Sequence, residues 1–180
     1  GTNGEIALGS RKEIYAASTA AGPAFEGAHL KSGAIAVPGA IHRIIYVDNL
    51  FQYETIDDLP PSGICGSGVL SLLKVMREND IVESSGLLKS DFPGIQKREY
   101  SEIVITKDSN GKEIVITQND IREIQLAKAA IATGIDFLLK QLSMNIDDVN
   151  KIYLTGAFGN KINPEDLMAL GIMPEVTTDK

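Results

Sequence analysis

Residues 151–160 read KIYLTGAFGN, a short apolar run that ends in a glycine-rich turn. The run at 151–155 predicts a buried strand, because it is short and rich in β-branched and aromatic residues. In open α/β sheets, ligands bind at the carboxyl ends of strands, where small residues let an adenosine lie against the backbone. The candidate ligand-binding residues here are Gly156, Ala157, Phe158, Gly159 and Asn160. The alternative is an ordinary turn from a strand into a loop.

A second glycine-rich turn opens the chain and precedes an apolar run. Its glycines permit positive φ angles and let backbone amides approach a phosphate, while the side chains of Thr2 and Asn3 can add hydrogen bonds. The candidate phosphate-binding residues are Gly1, Thr2, Asn3, Gly4 and Glu5. A plain hairpin turn is the alternative, since such turns are common.

A third glycine-rich turn, GICGSG at residues 63–68, leads into a predicted helix. Free N–H groups and the positive end of the helix dipole meet there, which favours an anion. The turn lacks the lysine of a P-loop, and a helix start that needs close packing is the alternative. The candidate residues are Gly63, Gly66, Ser67 and Gly68.

Strands and helices alternate along the rest of the chain. Three pairs of apolar runs predict β-hairpins, at residues 5–8 with 13–17, 41–47 with 51–56, and 102–106 with 113–116. Four helices are predicted, over residues 24–30, 69–79, 118–142 and from Pro164 onward. Thr117-x-x-Asp120 has the form of a capping box at the start of the long helix. This order predicts an α/β fold with a mixed β-sheet flanked by helices.

Composition narrows the possible partners and cofactors. A net charge of −7 over 180 residues suits one acidic domain, and makes nucleic acid and anionic membranes poor partners. One cysteine, Cys65, and two histidines, His29 and His42, form no cluster with metal-ligand spacing. A lone cysteine suits a reducing compartment, so the cytoplasm is the predicted location. Because the chain opens on a turn, we also expect an upstream segment.

Five stretches together resemble the C-terminal domain of the ATP-dependent reductive activators of corrinoid proteins. They are GTNGEIALG at 1–9, AASTAAGPAFEGAH at 16–29, GICGSG at 63–68, ITQNDIREIQLAKAAI at 116–131 and KIYLTGAFGN at 151–160. The resemblance covers roughly residues 1–174. It implies an RNase H-like, actin-like ATPase lobe of the acetate and sugar kinase, Hsp70 and actin superfamily, spanning residues 1–180 as one domain of a longer protein.

The resemblance also implies cofactors and a partner. ATP or ADP with Mg²⁺ would bind between two lobes, the first turn resembling a phosphate-binding hairpin and the 156–160 turn an adenosine motif. ATP turnover would drive reduction of Co(II) to Co(I) on a corrinoid protein of a methyltransferase system. A [2Fe–2S] cluster would belong only to an upstream domain. The resemblance assigns no catalytic residue to this chain.

Several parts of the family pattern are absent from this sequence. They are a strand ending in Asp before the first turn, the phosphate loop of the other lobe, and the cysteines of the cluster. The family pattern also continues past Pro174. We therefore expect the chain alone to be inactive.

Two other functions remain open from the residues. A small-molecule or acyl kinase of the same superfamily would need a catalytic acid, for which Glu5 and Glu26 are the candidates. A non-catalytic actin-like docking module would associate with itself. A homodimer is expected in any case, through the long helix or residues 83–116.

Overall fold

The structure is a computed structural model, which describes residues 3–156 and 162–175. The chain divides into two compact units. We call residues 1–23 with 126–180 the terminal unit, and residues 24–125 the central unit. The strands are β1 Gly4–Gly9, β2 Ile14–Thr19, β3 Ala40–Val47, β4 Leu50–Thr55, β5 Gly63–Ile64, β6 Ile95–Lys97, β7 Ser101–Lys107 and β8 Glu113–Thr117. The α-helices are α1 Gly66–Glu78, α2 Gln118–Gln141 and α3 Pro164–Ala169.

Hairpin β1–β2 forms the two-stranded sheet of the terminal unit, as predicted from the sequence. Its register runs from Gly4 opposite Thr19 to Gly9 opposite Ile14. Helix α3 begins as predicted, with Pro164 in its first turn and the side chain of Asn163 accepting the N–H of Glu165 at 3.0 Å. This cap satisfies one of the amides that a helix start leaves without a partner.

The predicted capping box at the start of α2 is confirmed in both directions. The N–H of Asp120 donates to Thr117 Oγ1 at 3.0 Å, and the N–H of Thr117 donates to Asp120 Oδ2 at 2.8 Å. Ile121, Ile124 and Leu138, which recur at helical spacing on one face of α2, are buried. The helix therefore starts where the sequence predicts and turns an apolar face inward.

A mixed sheet with the order β4–β3–β5 forms the core of the central unit, so the α/β class is confirmed. β3 pairs antiparallel with β4 across a tight turn, in which Asp48 and Asn49 take left-handed φ angles of 52° and 61°. Helix α1 packs on β3, where the hydroxyl of Ser71 accepts the N–H of Ile44 at 3.0 Å and donates to its carbonyl oxygen at 2.9 Å. Ile41, Leu70, Leu72 and Met76 are fully buried there.

The third sheet has the order β6–β7–β8, and its β7–β8 hairpin turns at the predicted Asn110-Gly111 step. Asp108 Oδ1 accepts the N–H groups of Asn110 at 2.8 Å and Lys112 at 2.9 Å, which fixes the turn. Residues 83–99 are held at several points. The buried Leu88 donates its N–H to Gln118 Oε1 at 2.8 Å, Gln118 Nε2 donates to the carbonyl oxygen of Gly86 at 2.9 Å, and β6 pairs with β7.

Glu113 of β8 gives the stability of the protein a defined pH dependence. Arg98 Nη2 donates to Glu113 Oε2 at 2.7 Å, and this hydrogen bond holds the pKa of Glu113 below its ordinary value. A carboxyl with a lowered folded-state pKa stabilises the protein above its unfolded pKa, about 4.3, and that contribution is lost as the pH falls through the folded-state value. We expect Glu113→Gln to unfold at a lower temperature than wild type at pH 7, by a few degrees at most, and this difference to shrink as the pH falls toward 3.

Thermal unfolding followed by circular dichroism from pH 7 to pH 3 checks this expectation. Glu99→Gln, which removes an exposed carboxylate of the same charge, is the control. A difference between Glu113→Gln and wild type that stays constant across the range would contradict it.

Two predicted elements are wrong. The helix predicted over residues 24–30 is only a 3₁₀ turn, Ala24–Glu26, because Gly27 and His29 take left-handed φ angles of 78° and 65° that interrupt a right-handed helix. The strand predicted over residues 151–155 does not form. Its backbone pairs with no strand among the described residues, and Tyr153 is 82% exposed. A strand needs a neighbour for its backbone groups, and local propensity alone does not supply one.

Candidate functional site

The first candidate turn is described from Asn3 onward, since Gly1 and Thr2 lie outside the described residues. Asn3 Nδ2 donates to Ser18 Oγ at 3.2 Å, and Ser18 Oγ donates to Glu5 Oε1 at 2.9 Å. Ser18 could not be identified as a candidate from the sequence, because its contact depends on β2 returning beside β1. These three exposed side chains form a polar chain at the open end of the β1–β2 hairpin.

Gly4 lies in the middle of this polar end, and the structure explains why it is a glycine. A Cβ at this position would lie 2.8 Å from Thr19 Oγ1, which itself donates to the carbonyl oxygen of Gly4 at 3.0 Å. Real Cβ atoms essentially never come that close, so a larger residue would break this hydrogen bond. The two strands are therefore held close together where the polar chain lies.

The donor set at the hairpin end fits a phosphate accompanied by a cation. The amide of Asn3 has a second N–H that can donate to a phosphate oxygen, whereas the single O–H of Ser18 already donates to Glu5. The carboxylate of Glu5 would repel a bare phosphate, but it favours a hard cation such as Mg²⁺, which prefers oxygen ligands. These are the residues that would hold a nucleotide phosphate and its metal at this turn.

The second candidate turn is packed into the interior of the central unit. Gly63, Gly66 and Gly68 are buried and Ser67 is half-buried. A Cβ on Gly68 would lie 2.2 Å from the carbonyl oxygen of Ile41, and one on Gly63 would lie 2.8 Å from the Cβ of Ala34. Close packing, the alternative named for this turn, therefore explains both glycines, through α1 against β3 at Gly68 and through the chain at Ala34 against Gly63. A nucleotide-binding role for them stays a prediction.

Cys65 caps the start of α1 without a side-chain hydrogen bond to the helix. Its buried thiol instead donates to the carbonyl oxygen of Ile41 at 3.3 Å and lies 3.4 Å from Ser67 Oγ. A buried thiol with these contacts behaves as a small packing residue.

The third candidate turn is described only at its first residue. Gly156 is exposed, with a left-handed φ of 86° that suits a tight turn. Ala157, Phe158, Gly159 and Asn160 lie outside the described residues. Their role in binding adenosine stays a prediction.

An open groove of about 630 Å³ lies beside β2 in the terminal unit, and the sequence reasoning missed it. Its lining carries no charge and consists mostly of small side chains, from residues 16–20 together with Ala129, Ala130, Thr133, Gly134 and Phe137. Ser18 belongs both to this groove and to the polar chain. The sequence carries one sign of this groove, namely two stretches rich in small residues, at 16–20 and at 129–134.

Residues 3–156 and 162–175 contain neither a metal-binding cluster nor a membrane-spanning helix. No three of the His, Cys, Asp and Glu residues in these ranges are grouped so that they could hold a metal ion. No helix in the same ranges is long and apolar enough to cross a membrane.

Comparison with known proteins identifies the family. Residues 1–180 match the model described as the C-terminal domain of RACo, the ASKHA domain. This chain therefore belongs to that family, as the resemblance of its motifs implied.

Similar proteins are named for corrinoid activation. The corrinoid activation enzyme RamQ of Eubacterium limosum is 37% identical over 98% of this chain and 32% of its own length. The [Co(II) methylated amine-specific corrinoid protein] reductase of Methanosarcina barkeri is 30% identical over 97% of this chain and 34% of its own length. A solved reductive activator for corrinoid, iron-sulfur protein superposes with a TM-score of 0.91 at 34% identity, over 98% of this chain and 29% of that one. This chain thus spans about a third of the length of the relatives it matches.

Proposed function

We propose that this chain is the nucleotide-binding lobe of a reductive activator that acts on a corrinoid protein of a methyltransferase system. The observation that carries the proposal is the match of the whole chain to the ASKHA domain of this family, together with the close superposition on a solved reductive activator. The names of the two sequence relatives point to the same activity. In this proposal ATP binding and hydrolysis are coupled to the reduction of Co(II) to Co(I).

The first turn is proposed to hold the nucleotide phosphates. Asn3 would donate to a phosphate oxygen, and Glu5, held by Ser18, would face the accompanying Mg²⁺. The hydrogen bond from Ser18 to Glu5 fixes the carboxylate before any ligand arrives, which lowers the entropic cost of binding. The 156–160 turn is proposed to receive the adenosine.

ATP turnover supplies the free energy for an electron transfer that is otherwise uphill. A ligand shifts a conformational equilibrium only by the difference in its affinity for the two states. The proposed role of Asn3, Glu5 and Ser18 is to bind the phosphates more tightly in one of them, as phosphate contacts do in other nucleotide switches. We infer that this domain works within a longer protein, whose other parts carry the second lobe and the [2Fe–2S] cluster.

The partner proposed for the longer protein is a corrinoid protein, because the Methanosarcina barkeri relative is named for one and the Eubacterium limosum relative is named for corrinoid activation. A homodimer and a cytoplasmic location stay predictions from the sequence. Nucleic acid is not expected as a partner, since a chain with a net charge of −7 repels phosphate backbones.

Calorimetric titration of Mg-ATP, and separately of ADP, into this chain and into the longer protein tests the proposal. We expect binding by the longer protein and weak or no binding by this chain alone, because the phosphates need both lobes. Absence of binding by either protein would contradict an ATP-coupled activator and favour a docking module. Phosphoryl transfer from ATP to a small acceptor by the longer protein would favour the kinase instead.

A further inference from the structure

Lys31 of the central unit is held at two points by buried carboxylates. Its Nζ lies 2.5 Å from Glu102 Oε2, and its backbone N–H donates to Asp120 Oδ1 at 2.9 Å. Glu102 is 1% exposed and Asp120 is 2% exposed. The two contacts span 71 and 89 residues of sequence, so they fasten one loop to two distant elements.

Arg98 is a second cation beside Glu102. Its Nη1 lies 2.9 Å from Oε1, but this ion pair is not an aligned hydrogen bond, and Oε1 has no hydrogen-bond donor among the described residues. Arg98 also pairs with Glu113. Removing the ammonium of Lys31 would therefore leave the buried carboxylate without a hydrogen-bonded cation and with a guanidinium that it shares with Glu113, which is unfavourable.

Further contacts fasten the chain around Lys31. Ser32 Oγ accepts the N–H of Val115 at 3.0 Å, the carbonyl oxygen of Ser32 accepts the N–H of Ile64 at 2.8 Å, and Ala34 donates its N–H to Ile64 at 2.9 Å. We call residues 27–34 the latch segment. It closes on itself, since a Cβ on Gly33 would lie only 1.8 Å from the carbonyl oxygen of Gly27.

One residue of the latch segment has an energetically unfavourable backbone conformation. His29 is exposed and has a left-handed φ of 65°, an uncommon conformation for a residue with a Cβ. Few apolar side chains of the segment belong to the buried core, in contrast to α1. Polar contacts of Lys31 with Glu102 and Asp120, and of Ser32 with Val115 and Ile64, therefore supply most of what keeps it in place.

We propose that Lys31 is a positioning residue that latches residues 27–34 to the β6–β7–β8 sheet and to the start of α2. When the pair with Glu102 breaks, the latch segment opens as one unit while the rest of the central unit stays folded. The latch thereby controls whether Glu26 and His29, the exposed titratable side chains beside and within the segment, occupy fixed positions. This inference does not depend on the proposed function.

Native-state hydrogen exchange on this chain tests the latch. In Lys31→Met, the protection of the Lys31, Gly33 and Ala34 amides is expected to fall about 10- to 100-fold further than that of the Leu72 amide in α1. Lys89→Met is the matched control. Its ammonium also lies 2.5 Å from a carboxylate, that of Asp80, but Asp80 is 81% exposed, so little change is expected.

Lys31→Arg restores a cation and is expected to recover most of the protection. In wild type, the latch amides are expected to exchange through a local opening that exposes less surface than global unfolding. The free energy of that opening should therefore fall less steeply with denaturant concentration than the free energy of global unfolding. Equal loss of protection across the whole central unit in Lys31→Met would overturn the proposal. Exchange of the wild-type latch amides only through global unfolding would also overturn it. This second measurement uses wild-type protein, so it does not require that Lys31→Met folds.

Discussion

Gly68→Ala is expected to lower the free energy of unfolding by about 3 kcal/mol, although alanine is the better helix former by about 1 kcal/mol. The new Cβ would lie 2.2 Å from the carbonyl oxygen and 2.9 Å from the carbonyl carbon of Ile41. Both atoms are backbone of the buried strand β3, so no change of side-chain rotamer can relieve the contact. Either α1 moves away from β3 or β3 distorts, and both changes loosen the packing around Leu70 and Leu72.

Urea denaturation followed by circular dichroism measures this loss. Ser67→Ala, one position earlier in α1 and only half-buried, is the control that reports the change in helix propensity. Its effect is expected to stay within about 1 kcal/mol. An unchanged midpoint for Gly68→Ala would show that α1 tolerates a wider spacing from β3 than the structure has.

Asn3→Ala is expected to weaken Mg-ATP binding by the longer protein about 10- to 100-fold, the usual cost of a lost hydrogen bond to a charged group. The amide of Asn3 is proposed to donate to a phosphate oxygen, and it also donates to Ser18 Oγ. Glu5→Gln is expected to weaken Mg-ATP binding while changing the affinity for metal-free ATP little, or even raising it. The reason is that the carboxylate attracts the cation and repels the bare phosphate.

Isothermal titration with and without Mg²⁺ distinguishes these two effects. Ser10→Ala is the matched control, since Ser10 lies in the turn at the opposite end of the same hairpin and its hydroxyl accepts only a local N–H, from Lys12 at 3.2 Å. If both Asn3→Ala and Glu5→Gln bind Mg-ATP with unchanged affinity, the phosphates do not bind at the first turn. It would leave the family assignment intact.

Local chemistry explains which parts of the fold could be predicted from the sequence. The Asn110-Gly111 step and the Thr117-x-x-Asp120 capping box act over four residues or fewer, and both form as the sequence indicates. The helix predicted at residues 24–30 fails because composition favours a helix while Gly27 and His29 adopt left-handed backbone. The strand predicted at 151–155 fails because strand formation depends on a partner, which periodicity cannot reveal.

The candidate site divides in the same way. The sequence identified Asn3, Gly4 and Glu5 as candidates, because a glycine-rich turn before a strand is visible locally. It did not identify Ser18, because the contact requires the register of β1 with β2. The contacts of Lys31 with Glu102 and Asp120 likewise could not be predicted. These residues are separated from Lys31 by 71 and 89 positions, and no local sequence pattern indicates contacts over such separations.

The separation of Lys31 from its two carboxylates along the chain also bears on the order of folding. The β1–β2, β3–β4 and β7–β8 hairpins and the capping box close loops of a few residues, whereas each latch contact must close a loop of 71 or 89 residues. The entropy of closing such long loops is lost before the contacts can compensate for it, so contacts of this kind tend to form late. The latch is then weak in the folding transition state, and its main kinetic effect is to slow unfolding.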